Sequence, residues 1–561
     1  MATQTDILFR PGNVYLNALV WGGKWSQASG AVKYAFGADS TSYDSALLGQ
    51  SVYNYSWTSS EQAAIKRALA DIAKVANIDF VQVPSGSSSN LQYLNADNAD
   101  LGYGTLGISD VPGSDSSAAR LQTIFNWQDS SWSHLGKGGY GYATIVHEIL
   151  HSLGLAHPHD HGGGSGKIPG VAGSGSGGTN GLNQQIFTIM SYNDGDYTPG
   201  YAATEAYGYA AGAMAFDIAA LQYLYGANTS TAKGNTTYTL PTANEAGTFW
   251  ECIWDTGGRD TIRAGATNLD AMIDLRPATL KEGDPHAGGF VSQVGTIFGG
   301  FTIAKGVKIE NAVGGNGHDT LNGNGAANEL TGRGGSDKLF GRGRGDDLDG
   351  GSGRDLLNGG VGNDSLDGGV GNDTLNGGKG RDTAVFDGGQ DNSIDLRSTV
   401  RQDTGEGRDK LLSIENVNAG DGADSVIGNG AVNRLSGQAG RDDLRGLGGN
   451  DQLFGGGAND TLFGGDGRDT LVGGAGNDLM NGGDGRDVFK IDDGSDNDRI
   501  AGFTVGLDDV DLRAHSSISA YRDIGKSHDG NGNAVADLGG GGSITFVGLR
   551  WSDLSADDFL I

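Results

Sequence analysis

Aspartate recurs at every ninth position through much of the second half of this chain. The first series comprises Asp337, Asp346, Asp355, Asp364, Asp373 and Asp382, and stepping back by nine residues from Asp337 reaches Asn328 and Asp319. The second series comprises Asp424, Asn433, Asp442, Asp451, Asp460, Asp469, Asp478 and Asp487. Around these positions the residues follow the pattern G-G-x-G-x-D-x-U-x, in which U is apolar. This nonapeptide pattern predicts a calcium-binding parallel β-roll for both blocks.

The chemistry of the repeat explains why such a chain needs calcium. A glycine-rich turn ends in the aspartate, and a short strand follows whose central apolar side chain points inward. The inward side chains are expected to form one ladder in each block, comprising Leu339, Leu348, Leu357, Leu366 and Leu375 in the first and Leu435, Leu444, Leu453 and Leu462 in the second. Calcium prefers carboxylate and carbonyl oxygens as ligands. A flexible Gly/Asp linker is the alternative, but the strict register argues against it.

Length and charge exclude several classes of protein. A chain of 561 residues is too long for one hydrophobic core, so several domains are expected. The 68 acidic residues exceed the 38 basic ones by 30, which makes nucleic acid an unsuitable partner. Cys252 is the single cysteine, so no intramolecular disulfide can form. The absence of a long apolar run predicts no membrane span.

A second motif lies in the first half of the chain. His147, Glu148, His151, Gly154 and His157 form the pattern H-E-x-x-H-x-x-G-x-x-H. On a helix, the first two histidines project from one face, and Glu148 lies beside the water of the metal that they bind. A glycine at positive φ ends the helix and lets the chain return, so that His157 becomes a third ligand. The pattern predicts a catalytic zinc with one open position.

A methionine turn supports that prediction. The segment Phe187–Tyr192 contains Met190, and a zinc helix followed by such a turn is the metzincin pattern. We expect Met190 to lie beneath the three imidazoles and Tyr192 to place its phenol oxygen near the zinc. The predicted reaction is hydrolysis of a peptide bond, with Glu148 as the general base and Tyr192 as a hydrogen-bond donor to the oxyanion.

The zinc helix, the methionine turn and the nonapeptide repeats together resemble the serralysins, which are secreted bacterial metzincin proteases. The resemblance implies an α+β zincin protease domain followed by an all-β parallel β-roll (RTX) region, with one catalytic zinc and several structural calcium ions. It also implies a broad-specificity zinc endopeptidase that cleaves extracellular protein or peptide substrates. Further calcium positions are implied by similarity at Gly234, Thr236, Asp255, Gly257, Gly258 and Asp260, and at Glu310, Gly315, Gly317 and Asp319.

The resemblance also implies export by a type I (ABC) secretion system. Met1–Arg10 lacks the order of a secretory signal peptide, and the chain ends in an acidic pair followed by apolar residues, as the C-terminal signals of that system often do. A cytosol poor in calcium would keep the rolls unfolded, and external calcium would fold them. A secreted monomer is therefore expected, with the cell envelope or a polysaccharide as a conceivable surface partner.

One segment departs from the family pattern. The loop after His157 contains two further histidines, His159 and His161, on either side of Asp160. They could bind another metal, although a solvated loop is the favoured interpretation.

The expected organisation has six segments. They are a tail or short propeptide at 1–20, the zinc protease domain at 21–226, a β lead-in to the first roll at 227–310, roll 1 at 311–387, a lead-in with roll 2 at 388–490, and a β segment with the secretion signal at 491–561. Within the protease domain we predict a helix that begins at a Thr58–Glu61 capping box, a strand over 78–83, and an edge strand over 101–108 that pairs with substrate.

Two other functions fit parts of the sequence. A calcium-dependent adhesin or surface-layer protein would use the rolls, but it would not need Glu148 or a third histidine. A secreted lipase would need a G-x-S-x-G nucleophile elbow between a strand and a helix, and the sequence contains none in that setting.

Overall fold

The computed structural model describes residues 3–6, 11–26, 30–113, 120–193, 204–493 and 496–561. Contacts divide the chain into two compact units, Met1–Asn311 and Ala312–Ile561. Among the described residues, no helix is both long enough and apolar enough to cross a membrane.

The first unit is an α+β arrangement. Its helices are α1 Val14–Leu19, α2 Ser59–Val75, α3 Asn98–Leu101, α4 Tyr140–Ser152 and α5 Ala215–Tyr225. Its strands are β1 Thr3–Asp6, β2 Gly23–Ser26, β3 Val32–Phe36, β4 Thr41–Ser45, β5 Gln50–Asn54, β6 Phe80–Gln82, β7 Leu91–Ala96, β8 Gly107–Ser109, β9 Leu121–Asn126, β10 Thr237–Thr239, β11 Trp250–Ile253, β12 Thr261–Arg263, β13 Ala271–Asp274, β14 Ser292–Val294 and β15 Gly300–Ile303.

A five-stranded sheet has the strand order β6-β3-β7-β9-β8, and it supports helices α2 and α4. Helix α2 begins at the predicted capping box, in which Thr58 and Glu61 exchange hydrogen bonds. Its apolar face, which includes Ile65, Leu69 and Ile72, is fully buried, and α2 packs on α4. Helix α4 in turn packs on β8 and β9. The buried face of the sheet therefore fixes the position of α4.

The predicted edge strand is shorter than its sequence indicated. Only Gly107–Ser109 is extended, whereas Asn98–Leu101 forms α3. The Asp97 side chain accepts hydrogen bonds from the first amides of that helix, and Gly102 ends it at φ 83°. The capping aspartate and the glycine therefore place Leu101, the first residue of the predicted strand, in a helix. Strand β8 pairs antiparallel with β9 and lies at the edge of the sheet.

The N-terminal segment packs on helix α5 and on the loop around residue 280. The expected tail at 1–20 lies partly outside the described residues, at 1–2 and 7–10. Within its described part, α1 places the ring of Tyr15 against that of Phe216 in α5, with the centroids 4.8 Å apart. Asn13 caps α1 and donates from Nδ2 to the Leu280 carbonyl at 2.7 Å. Residues 13–19 are therefore joined both to α5 and to the 280s loop.

The second unit is a parallel β-roll with an antiparallel hairpin near its end. One sheet comprises the strands Glu329–Thr331, Asp347–Asp349, Ser365–Asp367, Thr383–Val385, Asn416–Asn418, Arg434–Ala439, Gln452–Gly457, Thr470–Ala475, Val488–Lys490, Asp509–Asp511 and Phe559–Leu560, and the short strand Asn311–Val313 precedes them. A second comprises Thr320–Asn322, Lys338–Gly343, Leu356–Val361, Thr374–Lys379, Arg408–Leu412 and Gln402–Asp403. A third comprises Ser393–Asp395, Ser425–Ile427, Asp443–Gly448, Thr461–Gly467, Leu479–Gly485, Asn497–Ala501, Gly542–Phe546, Ala534–Gly539 and Gly525–His528. Two-residue strands at Gly334–Gly335, Ser352–Gly353 and Val370–Gly371 form a fourth.

The expected single leucine ladder in each block is wrong. Leu339 is in register with Leu357, whereas Leu348 is in register with Leu366 in a different sheet. One turn of the roll is therefore two nonapeptides, and successive leucines alternate between two facing sheets. The same alternation separates Leu435 and Leu453 from Leu444 and Leu462. All these leucines are fully buried, so the inward direction was predicted correctly.

The two aspartate blocks share one sheet. Strand Thr383–Val385 of the first block pairs in parallel with Asn416–Asn418, which pairs with Arg434–Ala439 of the second. The residues between 386 and 415 do not follow the nonapeptide pattern. After them, the chain resumes the same parallel strand register. The roll therefore continues through both blocks on this side.

Candidate zinc site, cleft and calcium turns

Helix α4 presents the first two histidines of the motif. His147, Glu148 and His151 are all less than one-tenth exposed. The helix ends at Ser152 with Leu153 as its C-cap, and Gly154 follows with φ 102°. A Cβ at Gly154 would lie 2.3 Å from the Gly23 carbonyl oxygen, so both its conformation and its surroundings require glycine. The chain then turns back and brings His157 to the other two imidazoles.

The three imidazoles converge through the same nitrogen. The Nε2 atom of His157 lies 3.1 Å from that of His147 and 3.0 Å from that of His151. Two nitrogens bound at 2.0–2.1 Å to a tetrahedral ion lie roughly 3.3 Å apart, which is close to these separations. The ligating atoms of the three histidines all lie within 4.8 Å of one another.

The opposite nitrogens of the rings are each held by an oxygen. The Nδ1 atoms of His147 and His151 lie 2.9 Å from the carbonyls of Ile189 and Leu155, and that of His157 lies 2.8 Å from Asp160 Oδ2. These contacts place a proton on each Nδ1 and a lone pair on each Nε2. Burial lowers the pKa of His147 to about 3, and it also lowers the pKa of His151, so both rings are neutral. Three converging lone pairs repel unless a cation lies between them, and the donor set fits zinc.

The methionine turn lies against the triad. Met190 is fully buried, and Ile189 supplies the carbonyl that orients His147. The hydroxyl oxygen of Tyr192 lies 2.9 Å from His157 Nε2, although more than half of the side chain is exposed. The structure therefore brings Tyr192 to the three histidines, as its place after the turn predicted.

A buried aspartate holds this turn, and sequence reasoning did not assign it a role. Asp217 in α5 accepts hydrogen bonds from Thr188 Oγ1 at 2.5 Å, from the Ile189 amide at 2.7 Å and from the Met214 amide at 2.9 Å. The carboxyl is fully buried, and burial raises its pKa to about 6. A charge at the start of an otherwise apolar helix is the signal that could have revealed it.

Glu148 faces a cleft of about 510 Å³. The cleft is lined by residues 104–108 on one side and by Tyr140, Thr144, His147 and Glu148 of α4 on the other, with Tyr192 at its end. Burial raises the pKa of the Glu148 carboxyl to about 8. Gly107 of β8 leaves room for this side chain, because a Cβ there would lie 2.8 Å from Glu148 Cγ. The cleft therefore joins the carboxyl, the triad and an edge strand.

A turn that contains residues predicted to bind calcium lies in the first unit. Asp260 is fully buried, and its Oδ1 accepts a hydrogen bond from the Thr236 amide at 2.8 Å, while its Oδ2 has no partner among the described residues. The backbone of Gly258 approaches Gly234 so closely that a Cβ would lie 2.5 Å from the Gly234 oxygen. Asp255 accepts from the Gly257 amide at 3.0 Å, and Glu310 accepts from the Asp260 amide at 2.9 Å. The predicted residues of this turn are thus brought together.

The roll aspartates share one geometry. In each turn, Oδ1 accepts a hydrogen bond from the backbone amide of the aspartate or asparagine one turn earlier; the Asp346 amide, for example, donates to Asp364 Oδ1 at 2.9 Å. The other oxygen, Oδ2, is buried and has no partner among the described residues in Asp346, Asp355, Asp364, Asp373, Asp382, Asp424, Asp442, Asp451, Asp460, Asp469, Asp478 and Asp487. Burial raises the pKa of Asp346 and Asp373 to about 7. Buried carboxylate oxygens in such number need cations, and oxygen donors on glycine-rich turns fit calcium.

Turns near the start of each block differ from this geometry at Asp319, Asn328 and Asn433. Asp319 Oδ2 accepts from the Gly315 amide at 2.5 Å, and the Asp319 amide donates to Asp337 Oδ1 at 2.7 Å. Asn328 and Asn433 replace aspartate, and their Oδ1 atoms accept from the amides of Asn324 and Asn429 at 2.8 Å. In these two turns the side-chain oxygen of asparagine accepts a backbone hydrogen bond. In the neighbouring turns the corresponding position is occupied by a carboxylate oxygen.

Comparisons with known proteins agree with this architecture. Residues 215–413 match the family model described as Peptidase M10 serralysin C terminal, and residues 418–453 and 454–489 match the RTX calcium-binding nonapeptide repeat. Serralysin A of Dickeya chrysanthemi is 36% identical over 283 residues, covering 47% of this chain and 53% of that protein. Serralysin of Proteus mirabilis is 32% identical over 298 residues, covering 49% and 56%. The metallopeptidase AprA of Pseudomonas marginalis is 31% identical over 287 residues, covering 48% and 54%.

These matches define the class of the later part of the chain, an all-β parallel roll of RTX repeats, which follows an α+β unit in the structure. The chain is related to the serralysins, as the motifs predicted. Its matched part spans about half the length of these curated relatives. Zinc and calcium are the cofactors that the matches imply, and the residues described above fit both ions.

Proposed function

We propose that this protein is a secreted, zinc-dependent endopeptidase whose roll folds on calcium. The observation that carries the proposal is the convergence of His147, His151 and His157 through Nε2 beside a buried Glu148 that faces an open cleft. The relatives named above are two serralysins and a metallopeptidase, which favours a protease over an adhesin.

The residues of the site divide the chemistry between them. Zinc bound at the triad would supply a Lewis acid that activates water and polarises a carbonyl. Glu148 is placed to accept a proton from the attacking water and to return it to the leaving amine. Tyr192, whose hydroxyl lies beside the triad, is placed to donate a hydrogen bond to the developing oxyanion.

The geometry of the cleft indicates the form of the substrate. Strand β8 lies at the sheet edge and lines the cleft opposite Glu148. A peptide added along that edge would satisfy its backbone groups and present its scissile bond to the site. Backbone pairing discriminates little between side chains, so extended segments of unfolded or loop regions are the proposed substrates, with broad specificity.

Hydrolysis of casein by the full chain, refolded in calcium, tests the proposal. Glu148→Gln has nearly the same shape and cannot act as a base, so it should abolish turnover while the protein still binds one zinc. Tyr192→Phe should lower kcat by a larger factor than it lowers the affinity for zinc. Removal of zinc by a selective chelator should stop hydrolysis, and added zinc should restore it. Full activity in Glu148→Gln would refute the assigned base, and activity without zinc would refute the metal mechanism.

The calcium turns support export in an unfolded state. Buried aspartates on successive turns repel one another when calcium is scarce, as it is in the cytosol, so the roll would remain unfolded until it meets external calcium. We therefore propose a type I secretion system as a partner and the extracellular space as the location. Expression beside the exporter of a serralysin relative should place the protein in the medium, and equal release without the exporter would contradict this.

A further inference from the structure

The loop after the third zinc ligand contains a histidine that the proposed reaction does not use. The ring of His159 packs against those of His157 and Tyr192, with centroid distances of 4.9 and 4.8 Å, and those two rings also lie 4.9 Å from each other. Its Nδ1 atom is buried and has no hydrogen-bond partner among the described residues. The next histidine, His161, differs, because its Nδ1 lies 3.0 Å from the Ser165 carbonyl. One nitrogen of His159 is therefore shielded from solvent, in a loop for which the sequence favoured solvation.

A buried imidazole nitrogen usually has a partner. The ligating atoms of His157, His159 and Asp160 lie within 4.8 Å of one another, as do those of His147, His151 and His157. Asp160 Oδ2 already lies 2.8 Å from His157 Nδ1, on the side of that ring facing away from the triad. Two imidazoles and a carboxylate are a donor set that suits zinc.

We propose that His157, His159 and Asp160 form a second cation position, which takes Zn²⁺ when zinc exceeds the amount that the triad binds. The position shares His157 with the triad and uses the opposite nitrogen of its ring. For the second ion to bind there, the Nδ1 proton of His157 must leave to solvent, and the hydrogen bond from His157 to Asp160 is replaced by bonds to the metal. The proposal depends on the assignment of the triad but not on the reaction that the triad catalyses.

Occupation of this position would inhibit the proposed enzyme. A ligating histidine becomes a more basic ligand when the nitrogen that does not bind the metal donates its proton in a hydrogen bond to a carboxylate. A cation that replaces this proton has the opposite effect. Two dications on one imidazole also repel each other. By linkage, each ion then lowers the affinity for the other. The second ion would also draw His159 away from Tyr192, against which its ring packs.

The test measures zinc uptake directly. The full chain in saturating calcium, which occupies the roll, is dialysed to equilibrium against increasing Zn²⁺, and bound zinc is counted by elemental analysis. His159→Phe keeps a flat ring against His157 and Tyr192 but has no donor atom, and His161→Phe is the matched control in the same loop. Asp160→Asn is a second variant, which keeps a polar group beside His157 but removes the charge.

The wild type and His161→Phe should take up a second equivalent of zinc, with release of a proton and loss of hydrolysis relative to the same protein at one equivalent. His159→Phe and Asp160→Asn should stop at the first equivalent. Uptake of a second equivalent by His159→Phe as readily as by the wild type would overturn the proposal, and so would a wild type that stops at one. A protein that binds no zinc at all would overturn the triad and this position together, whereas zinc uptake without hydrolysis would count only against the proposed function.

Discussion

At the scale of single residues, the absence of a side chain at Gly107 determines the space available to Glu148, the proposed base. Gly107 has no side chain, and a Cβ there would lie 2.8 Å from Glu148 Cγ and 3.3 Å from Phe125 Cδ1. Phe125 is fully buried and cannot move away, so the Glu148 side chain would have to shift. A displacement of about 1 Å can lower a rate on the order of a hundredfold.

We therefore expect Gly107→Ala to lower kcat by about tenfold to a hundredfold, with zinc content unchanged. Gly136→Ala is the control, because a Cβ at that position meets no atom within 4 Å and its φ is not positive. Steady-state hydrolysis and elemental analysis of both variants measure the effect. An unchanged kcat in Gly107→Ala would show that Glu148 does not need its present position.

Asp217 is expected to control zinc affinity without touching the metal. Its carboxylate holds Thr188 and the amide of Ile189, whose carbonyl orients His147. Asp217→Asn places an NH₂ group against amide donors and leaves one or two buried donors unsatisfied, at a cost of about 1–3 kcal/mol each. The melting temperature should fall, and the zinc dissociation constant should rise.

Thr188→Val is the matched control for that change, because it removes the hydroxyl that donates to Asp217 and accepts from the Met190 amide, but leaves the Ile189 and Met214 amides bonded to Asp217. Its effect on zinc affinity should be smaller. Calorimetry and zinc competition against a chelator measure the two quantities. If Asp217→Asn lowers stability while zinc affinity stays unchanged, the methionine turn does not depend on this carboxylate.

At the scale of elements, the sequence predicted what short-range patterns determine. The spacing of His147, His151 and His157 was sufficient to predict their convergence, because a helix followed by a glycine turn leaves little freedom. The alternation of the leucine ladders was missed, because a period of nine residues does not reveal that two repeats make one turn. The contact of α1 with α5 was also missed, since the pairing of Tyr15 with Phe216 is long-range and has no local signal.

The end of helix α2 contacts residues beyond the boundary predicted at residue 226, and the compact first unit continues to Asn311. The carbonyls of Ala73 and Lys74, in the last turn of α2, accept hydrogen bonds from Asn228 and Thr231. The Ala211 amide donates to Trp250 at 2.8 Å, and Gly288 packs so closely on Phe187 that a Cβ would lie 2.6 Å from its ring. Residues after 226 therefore support both α2 and the methionine turn.

A chain ending at residue 226 should therefore lose most of its zinc affinity and cooperative unfolding. A chain ending at 311, where the first unit ends, is the control and should keep both. Thermal unfolding and zinc titration of the two truncated proteins measure the difference. Retention of full activity by the shorter protein would show that the zinc domain is independent of the strands that follow it.

At the scale of the whole molecule, negative charge is the dominant feature. The net charge is −30, and the roll holds rows of buried carboxylates in which one oxygen has no partner among the described residues. Removal of calcium leaves these charges buried side by side, which the short strands cannot withstand. We expect the roll to unfold in chelator and to refold when calcium is added, as circular dichroism would show.

The contrast between aspartate and asparagine turns makes that expectation sharper. The side-chain oxygens of Asn328 and Asn433 accept backbone hydrogen bonds within their turns. The fold therefore tolerates asparagine at positions where no unpaired carboxylate oxygen is present. Asp364→Asn, in the interior of the roll, should instead remove a calcium ligand and raise the calcium concentration at which the roll folds. Asp484→Asn, an exposed residue of the same roll, is the control and should leave the midpoint unchanged. Equal midpoints for the two variants would mean that the buried carboxylates do not bind calcium, and the roll would then have to fold by its leucine ladders alone.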